Sequence, residues 1–502
     1  MLSSDQPTLQ LLALLKAHGI TDLVLCPGSR NAGIVHSALQ TGSFTCHRIT
    51  DERSAGFYAL GIALSTHRPA AVIVTSGSAL ANLYPSACEA YYQQIPVVYI
   101  SADRPARWIG QMDGQTMPQH GALGKMVKLS VTLPPDDPHH ANRLINEALL
   151  ESHHHTPGPV HINIPIDEPI YKFDTATLPH VRVIERTTEK LTIAPQTRTL
   201  VLIGQMDKAT ADRCTDILTL HDAKVIAENL SNLHPQRYIN TYHIDWEHTP
   251  PFDLVITLGG HLTNKAMKER LRLTPPSQHW HVSPDGAIAD TFGSLTRAIE
   301  STPEAYLPHI APHSTTDLPL LPPHDNPSPI IDELISQLPE GSILHLANSS
   351  TIRHAQHSPL PSPDPRKNPI SICCNRGING IEGTLSTAVG YARASHPHPN
   401  YIIIGDLSFL YDQNALWNAD LPDNLHILLL NDHGGGIFDT LPIPPDPRSR
   451  DYIQAHHDHD ATHLAAHYHL KYLTGADKMH EFIHSPQSTI LEINTQTTPT
   501  KQ

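Results

Sequence analysis

Two acidic steps in the C-terminal third stand where apolar runs end. In GDLSFLYDQNALW, Asp406 follows Gly405 and precedes Leu407 and Ser408; in LHILLLNDHGGGIF, Asp432, Gly434 and Gly435 follow the next apolar run. A divalent cation such as Mg²⁺ takes about six hard oxygen ligands in octahedral array. The Asp406 and Asp432 carboxylates and the Gly434 carbonyl offer three, leaving room for two diphosphate oxygens and a water. Glycines let backbone approach phosphate closely. A GD step alone is common in surface turns. Paired with NDHGGG after the following strand, it points to a metal–diphosphate site. A third acidic residue, Glu52 in TDERSAGF, opens a helical stretch with Asp51 placed as its N-cap. By itself such a residue only favours the helix N-terminus electrostatically.

These residues need a scaffold, and the pattern predicts α/β architecture. ITDLVLCPG, PAAVIVTSG and IPVVYISADRP read as strands, with DERSAGFYALGIALSTH and SALANLYPSACEAYY as the helices between them. This alternation predicts parallel sheets flanked by helices. A second block begins at TLVLIGQMDKATADRCTDILTL and adds AKVIAEN, FDLVITLGG and HWHVSPD as strands. A third begins at PIIDELISQLPEGSILHLANSS and adds SICCNRG, NYIIIGDLS and LHILLLNDHGGG. Three domains are expected, at 1–185, 195–305 and 325–502, each a mostly parallel sheet flanked by helices. The Pro-dense stretch from Thr302 to Pro329 reads as a linker. At roughly 150 residues per domain, 502 residues agree with three. In open α/β sheets, ligands bind at the carboxyl ends of strands, where Asp406 and Asp432 are expected.

Composition excludes several classes. Lys plus Arg is 34 and Asp plus Glu is 49, a net charge of −15, which argues against a general nucleic-acid or anionic-membrane binder. No run reaches the roughly 18 apolar residues of a membrane span. The opening MLSSDQPTLQ has no basic stretch, so no secretory signal is expected. Six cysteines make no disulfide framework. A cytoplasmic protein is the default expectation. If its substrates are anions, positive charge must be placed locally.

The motifs together resemble a known family. GDxS followed by the N-N/D step is similar to the thiamine diphosphate motif. CPGSRNAG, TDERSAGFYALG, TSGSALANLYPS, ADRP and DGQT resemble the pyrimidine-binding domain of the MenD family, the 2-succinyl-5-enolpyruvyl-6-hydroxy-3-cyclohexene-1-carboxylate synthases. NRGINGIEGTLSTAVGYA and GGGIFDTLP resemble its diphosphate-binding domain. The likeness covers residues 10–130 and 340–445, and the middle block matches only in general character. It implies thiamine diphosphate with Mg²⁺ (or Mn²⁺) as cofactors. It also implies decarboxylation of 2-oxoglutarate and conjugate addition of the resulting succinyl semialdehyde carbanion to isochorismate, in menaquinone biosynthesis. Glu52 matches the glutamate that shares a proton with the cofactor pyrimidine, and Ile381 in GIEG matches the residue that props the cofactor in its bent form. Arg30, Arg104, Arg353 and Arg376 match cations for the anionic substrates, because guanidinium binds carboxylate two-pronged. Ser29, Gln115 and Ser349 add neutral hydrogen bonds, Lys265 reaches over the site, and Ile437, Phe438 and Leu441 form an apolar wall. Gly405, Leu407, Ser408 and Gly435 join Glu52, Ile381, Asp406, Asp432 and Gly434 as cofactor contacts. The family also implies a dimer or tetramer with sites between chains.

Several positions depart from the family pattern. Asp432 stands where Asn is usual, Glu382 where Asp is usual, and Ala266 follows Lys265 where a second cation occurs. Ile378 and Asn379 replace smaller residues, and Asp439 and PIPPDPRSRD alter the segment after the glycines. Two other readings stand at this level. One is a different thiamine diphosphate-dependent 2-oxo acid decarboxylase or carboligase, which would not require the four arginines. The other is a non-catalytic protein that kept the fold. Among 37 histidines, His463 and His467 share a helix face, but Leu464 stands where HExxH needs Glu, so surface histidines are expected. Cys373 and Cys374 are expected in buried core.

Overall fold

The computed structural model describes residues 1–322, 326–361, 370–418, 421–440 and 446–495. The chain forms two compact units, Met1–Thr187 with Ile288–Ala298, and Thr188–Ala287 with Ile299–Gln502.

In the first unit six parallel strands lie side by side: Thr45–Arg48, Asp22–Leu25, Ala70–Val74, Val97–Asp103, Val160–Pro165 and Leu129–Thr132. Counted along the chain from Asp22–Leu25, the spatial order is 2-1-3-4-6-5. The central strands are buried on both faces and therefore read as unbroken apolar runs. Leu23, Ile73 and Ile100 enter one core and Val24, Val72 and Tyr99 the other. Helices Gln6–Ala17 and Pro138–Glu151 pack together on the first face. Helix Glu52–Thr66 lies on the second, capped by Asp51, whose side chain accepts from the Arg53 N–H at 2.9 Å. The stretch expected as one helix from Ser78 is two, Ser78–Asn82 and Tyr84–Tyr92, because Pro85 suits only a first turn.

The second unit carries two sheets. Near the C-terminus the order is Ser371–Cys373, Ile343–Leu346, Asn400–Gly405, Leu425–Asn431, Thr489–Asn494 and Lys471–Thr474, all parallel. Counted from Ile343–Leu346 this is again 2-1-3-4-6-5. The two sheets are thus a structural repeat that the sequence does not display. Five neighbouring strands of the other sheet run Tyr238–Asn240, Val225–Ala227, Thr199–Ile203, Leu254–Leu258 and Gln278–Ser283, in the order 3-2-1-4-5.

In each order the first strand lies beside a strand whose connection turns the other way, and the crevice beyond such a switch point is where ligands bind. In the first unit those strand ends carry Cys26–Arg30 and Thr75–Gly77. In the C-terminal sheet they carry Ala347–Ser349 and Gly405–Ser408.

Two expectations need correction. The Pro-dense stretch from Thr302 is not all linker: Pro303–Ile310 is a helix that buries Tyr306, Leu307 and Ile310 against helix Lys208–Leu220. Pro303 is compatible because the first helical position has no intrahelical N–H partner to lose. Cys373 and Cys374 are half-buried rather than core, because they sit at the end of the edge strand Ser371–Cys373.

Candidate active site

The first unit presents Glu52 as the first residue of helix Glu52–Thr66. It is half-buried, and Asn82 Nδ2 donates to its Oε2 at 3.1 Å. Asn82 ends the short helix that follows Gly77, so the carboxylate is aimed by a neighbouring strand–helix turn. Gly77 takes φ +80, and a Cβ there would come 3.2 Å from the Gln115 backbone. Burial, then the charges of Glu52 and Asp51, push the Cys26 thiol up to about 12, so it stays protonated beside the carboxylate. Gln119 Oε1 accepts from the Gly77 N–H at 2.7 Å, while its amide donates to Ala102 O and Asn163 Oδ1. Asn163 in turn donates to Asp103 Oδ2, and Asp103 Oδ1 accepts from the Arg104 N–H. A buried polar chain therefore links the Gly77 turn to the ADRP turn.

The other sequence-selected residues here differ in availability. Ser29 and Gln115 are exposed, and Arg104 is half-buried. Arg30 is buried; its Nη1 donates to Ile166 O at 2.8 Å and its Nη2 pairs with Glu168 at 3.2 Å. Much of its donor fork is used within the chain.

In the second unit Asp406 is buried at the start of helix Asp406–Tyr411. Its Oδ1 accepts from the Leu407 N–H at 2.6 Å, and its Oδ2 accepts from the Gly434 N–H at 2.9 Å. Asp432 Oδ1 accepts from the same N–H at 3.2 Å. Burial first, then the adjacent Asp406 charge, push Asp432 up to about 6. A Cβ on Gly436 would lie 2.2 Å from Asp432 Oδ2, so a side chain there would displace the carboxylate. Two carboxylates held side by side repel, and a hard divalent cation between them would relieve it. The residues present therefore fit the divalent metal and diphosphate that the sequence motif implies, with Asp406, Asp432 and the Gly434 carbonyl as oxygen donors.

Ser408 Oγ donates to Ile381 O, which ties half-buried Ile381 to the GDLS turn. Gly405 and Gly435 flank the pair at the strand end and on the glycine loop. Ile437 and Phe438 are half-buried in the short helix Gly436–Thr440. Leu441 lies outside the described residues. Ser349 takes φ +76, an uncommon conformation for a residue with a Cβ, and accepts from Arg353 Nη1 through its carbonyl at 2.9 Å. Arg376 Nη1 donates to Asn348 Oδ1 at 2.9 Å. Lys265 is exposed at the first position of helix Lys265–Leu273.

Sequence reasoning missed three residues here. Asn348 donates to Asn375 O at 2.8 Å and Gly380 O at 2.7 Å while accepting from Arg376, so it joins the NRG segment to the neighbouring strand end. Asn82 lies within TSGSALANLYPS, a motif in which nothing local marks an Asn as the partner of Glu52. His457, in the His-rich segment, is half-buried with Nε2 3.2 Å from Asp406 Oδ2. No periodicity marks these residues. By contrast, His463 and His467 are exposed, as expected of surface histidines.

Comparisons with known proteins show the family. Residues 8–126 match the family model described as "Thiamine pyrophosphate enzyme, N-terminal TPP binding domain". The chain is 47% identical over 501 residues to the 2-succinyl-5-enolpyruvyl-6-hydroxy-3-cyclohexene-1-carboxylate synthase of Phocaeicola vulgatus, covering 91% of this chain and 88% of the relative. The synthase of the same name from Bacteroides thetaiotaomicron is 47% identical, again covering 91% and 88%. That from Flavobacterium johnsoniae is 36% identical, covering 93% and 90%. A solved thiamine diphosphate-dependent 4-hydroxybenzoylformate decarboxylase of Rhodococcus jostii RHA1 is 18% identical with a TM-score of 0.43, covering 98% of this chain and 99% of the other. With relatives this similar along almost its whole length, the chain belongs to the family of 2-succinyl-5-enolpyruvyl-6-hydroxy-3-cyclohexene-1-carboxylate synthases.

Proposed function

We propose that this chain carries out its family's reaction, decarboxylating 2-oxoglutarate and joining the remaining succinyl semialdehyde unit to isochorismate, as a transferase of menaquinone biosynthesis. The observation that carries the reading is the pair of carboxylates, Asp406 at a switch-point strand end and Asp432 on the glycine loop after the next strand, which accept from the same Gly434 N–H. Bound thiamine diphosphate supplies a carbon nucleophile and an electron sink for the decarboxylation. Asp406, Asp432 and Gly434 would hold Mg²⁺ or Mn²⁺ and, through it, the diphosphate.

Glu52 is the proton-carrying residue. Its Oε2 is engaged by Asn82, which leaves Oε1 to take up and return a proton at the cofactor's pyrimidine ring. The protonated Cys26 thiol does not compete as a base. Arg104, Arg353, Arg376 and Lys265 are the cations for the substrate carboxylates, and Arg30 stiffens the CPGSR turn while offering what remains of its fork. Ile381 supports the cofactor. Ile437 and Phe438, with Leu441 as the resemblance implies, would keep water out of the site. The domains are proposed as 1–185 for pyrimidine binding, 195–305 as central, and 325–502 for diphosphate and metal.

Self-association to a dimer or tetramer belongs to the same proposal. Its support is the exposure of Phe57, Tyr58, Leu64, Tyr91 and Tyr92 on the helices around Glu52. Six free cysteines suit a reducing compartment, the cytoplasm. No helix among the described residues is long and apolar enough to cross a membrane.

The test is turnover with Mg²⁺, thiamine diphosphate, 2-oxoglutarate and isochorismate, following CO₂ and adduct mass, beside a Glu52→Gln control. Adduct that disappears in the control supports the reaction and the base. CO₂ with free succinic semialdehyde and no adduct would discard isochorismate as acceptor. No CO₂ from 2-oxoglutarate would remove the donor.

A further inference from the structure

Glu228 is a carboxylate buried with 1% exposure, at the end of strand Val225–Ala227. It accepts from the Thr263 N–H twice at 2.8 Å, from Thr263 Oγ1 at 2.6 Å, from the Asn264 N–H at 2.9 Å and from Thr241 Oγ1 at 3.3 Å. Its lone pairs are thus spent on the turn that opens helix Lys265–Leu273, and Asn264 caps that helix by accepting from the Met267 N–H at 3.0 Å. A buried charge with this many donors is a rigid anchor. What it anchors is the helix face that carries Lys265 and, one turn on, Lys268.

Two further links join this turn to the Arg376 and Arg353 segments. Gln205 accepts through its carbonyl from the Gly260 N–H at 2.8 Å, and its side chain donates to Cys374 O at 2.9 Å, two residues before Arg376. Tyr242 OH is 3.1 Å from Thr263 Oγ1, and its ring meets His357 edge-on at 4.8 Å, one turn beyond Arg353 on helix Ser350–His357. Lys268 is half-buried, and its Nζ donates to Leu262 O at 2.6 Å, a neutral acceptor. Burial pushes its ammonium below the ordinary lysine range, Glu228 draws it back up, and Arg376, Arg272 and Arg353 push it down again. Arg376 Nε is buried with no hydrogen-bond partner among the described residues. The Gln205 and Tyr242 links hold the Arg376 and Arg353 segments to the turn that opens the Lys268 helix, and an incoming anion relieves the repulsion among like charges brought to one place.

We propose that Lys268 is a further substrate-binding residue that, with Arg353 and Arg376, receives one carboxylate group of a substrate, and that Glu228 is the positioning residue that sets it there. The proposal rests on the functional reading above and extends it to a residue that no family motif marked. The keto-dicarboxylate donor and the cyclic acceptor both carry carboxylates, so the shared chemistry is the carboxylate and the experiment distinguishes the source.

Lys268→Met and Lys268→Arg are compared with the unaltered full chain, loaded with Mg²⁺ and thiamine diphosphate. The KM for 2-oxoglutarate and for isochorismate is measured separately, and each acid is titrated calorimetrically. Lys268→Met is expected to raise the KM and the calorimetric dissociation constant of one acid at least tenfold, with the other acid and kcat within about threefold, and Lys268→Arg to restore most of the loss. Which acid responds names the source. If the unaltered chain turns over and both KM values stay unchanged in Lys268→Met, Lys268 is structural and the proposal falls alone. If the unaltered chain neither binds nor converts either acid, the functional reading falls with it. Glu228→Gln keeps the size of the anchor but puts a donor amide in place of one acceptor oxygen, and is expected to raise the same KM as Lys268→Met. A change in melting temperature alone, with KM unmoved, would overturn the positioning role.

Discussion

At the scale of the residue, the site divides proton transfer from charge binding. Among the described residues Glu52 has one oxygen bonded to Asn82 and no bond to the other, so removing its acidity should leave the scaffold intact. Glu52→Gln is expected to lower kcat by about 10²–10⁴-fold, the usual share of a positioned acid–base group, with the melting temperature and cofactor binding preserved. Stopped-flow CO₂ release and tryptophan quenching on cofactor addition separate the two effects. Asp432 presents the opposite case. Its carboxylate lies against Asp406, so the metal-free chain holds a like-charge pair that burial sharpens. Asp432→Asn keeps a hard oxygen and removes the repulsion. The metal-free variant is expected to melt higher than the parent, and its Mg²⁺ affinity to fall roughly tenfold, since a carboxylate–Mg²⁺ contact is replaced by a neutral one. A differential scan with and without Mg²⁺ reads both, and a variant that melts lower without metal contradicts the account.

The elements place these groups by repeating one device, a strand end at a switch point followed by a turn into a helix. Gly77 with φ 80 and ψ −137 opens such a turn in the first unit, and Ser349 with φ 76 and ψ −129 opens it in the second. The backbone is the same, but Ser349 carries a Cβ where its counterpart carries none. A non-glycine residue there stores roughly 1–3 kcal/mol of strain. Ser349→Gly is expected to recover about 1 kcal/mol net of the extra chain entropy of glycine, seen as a higher melting temperature. It should weaken substrate binding if the hydroxyl is used. This device was only partly legible in the sequence. The strand ends, the Asp51 cap and the GD and NDHGGG turns follow from local pattern, because burial on both faces makes each strand an apolar run. The contacts of Asn348 with Asn375, Gly380 and Arg376 join segments far apart in the chain, and no local spacing encodes them. Helix Pro303–Ile310 was hidden for a different reason: proline density argues for linker, and only its packing on helix Lys208–Leu220 decides otherwise.

For the whole molecule, the parallel sheets have a cost in acid that the sequence states only as an abundance of histidine. His161, His345 and His426 each sit in a strand buried on both faces. His161 bonds Ser101 at 2.8 Å and Ser130 at 3.0 Å, and His345 bonds Asn400 at 3.0 Å. His426 stacks on Tyr401 with centroids 4.9 Å apart, and its Nδ1 has no hydrogen-bond partner among the described residues. Burial drives His161 down to about 3 and His345 and His426 down to about 4. The folded chain keeps these rings neutral while the unfolded chain protonates them near the ordinary 6.5. Between 6.5 and those lowered values the unfolded state therefore binds more protons, and stability rises with pH. The contribution is complete above about pH 6.5 and is lost as pH falls below it, by up to about 1.4 kcal/mol per pH unit for each ring. The melting temperature should hold between pH 7 and 8 and drop steeply from pH 6.5 to 5. His426→Phe keeps the stack on Tyr401 and cannot protonate. It should melt near the parent at pH 7.5 and above it at pH 5, and equal slopes for the two chains would show that the buried rings do not set the acid limit.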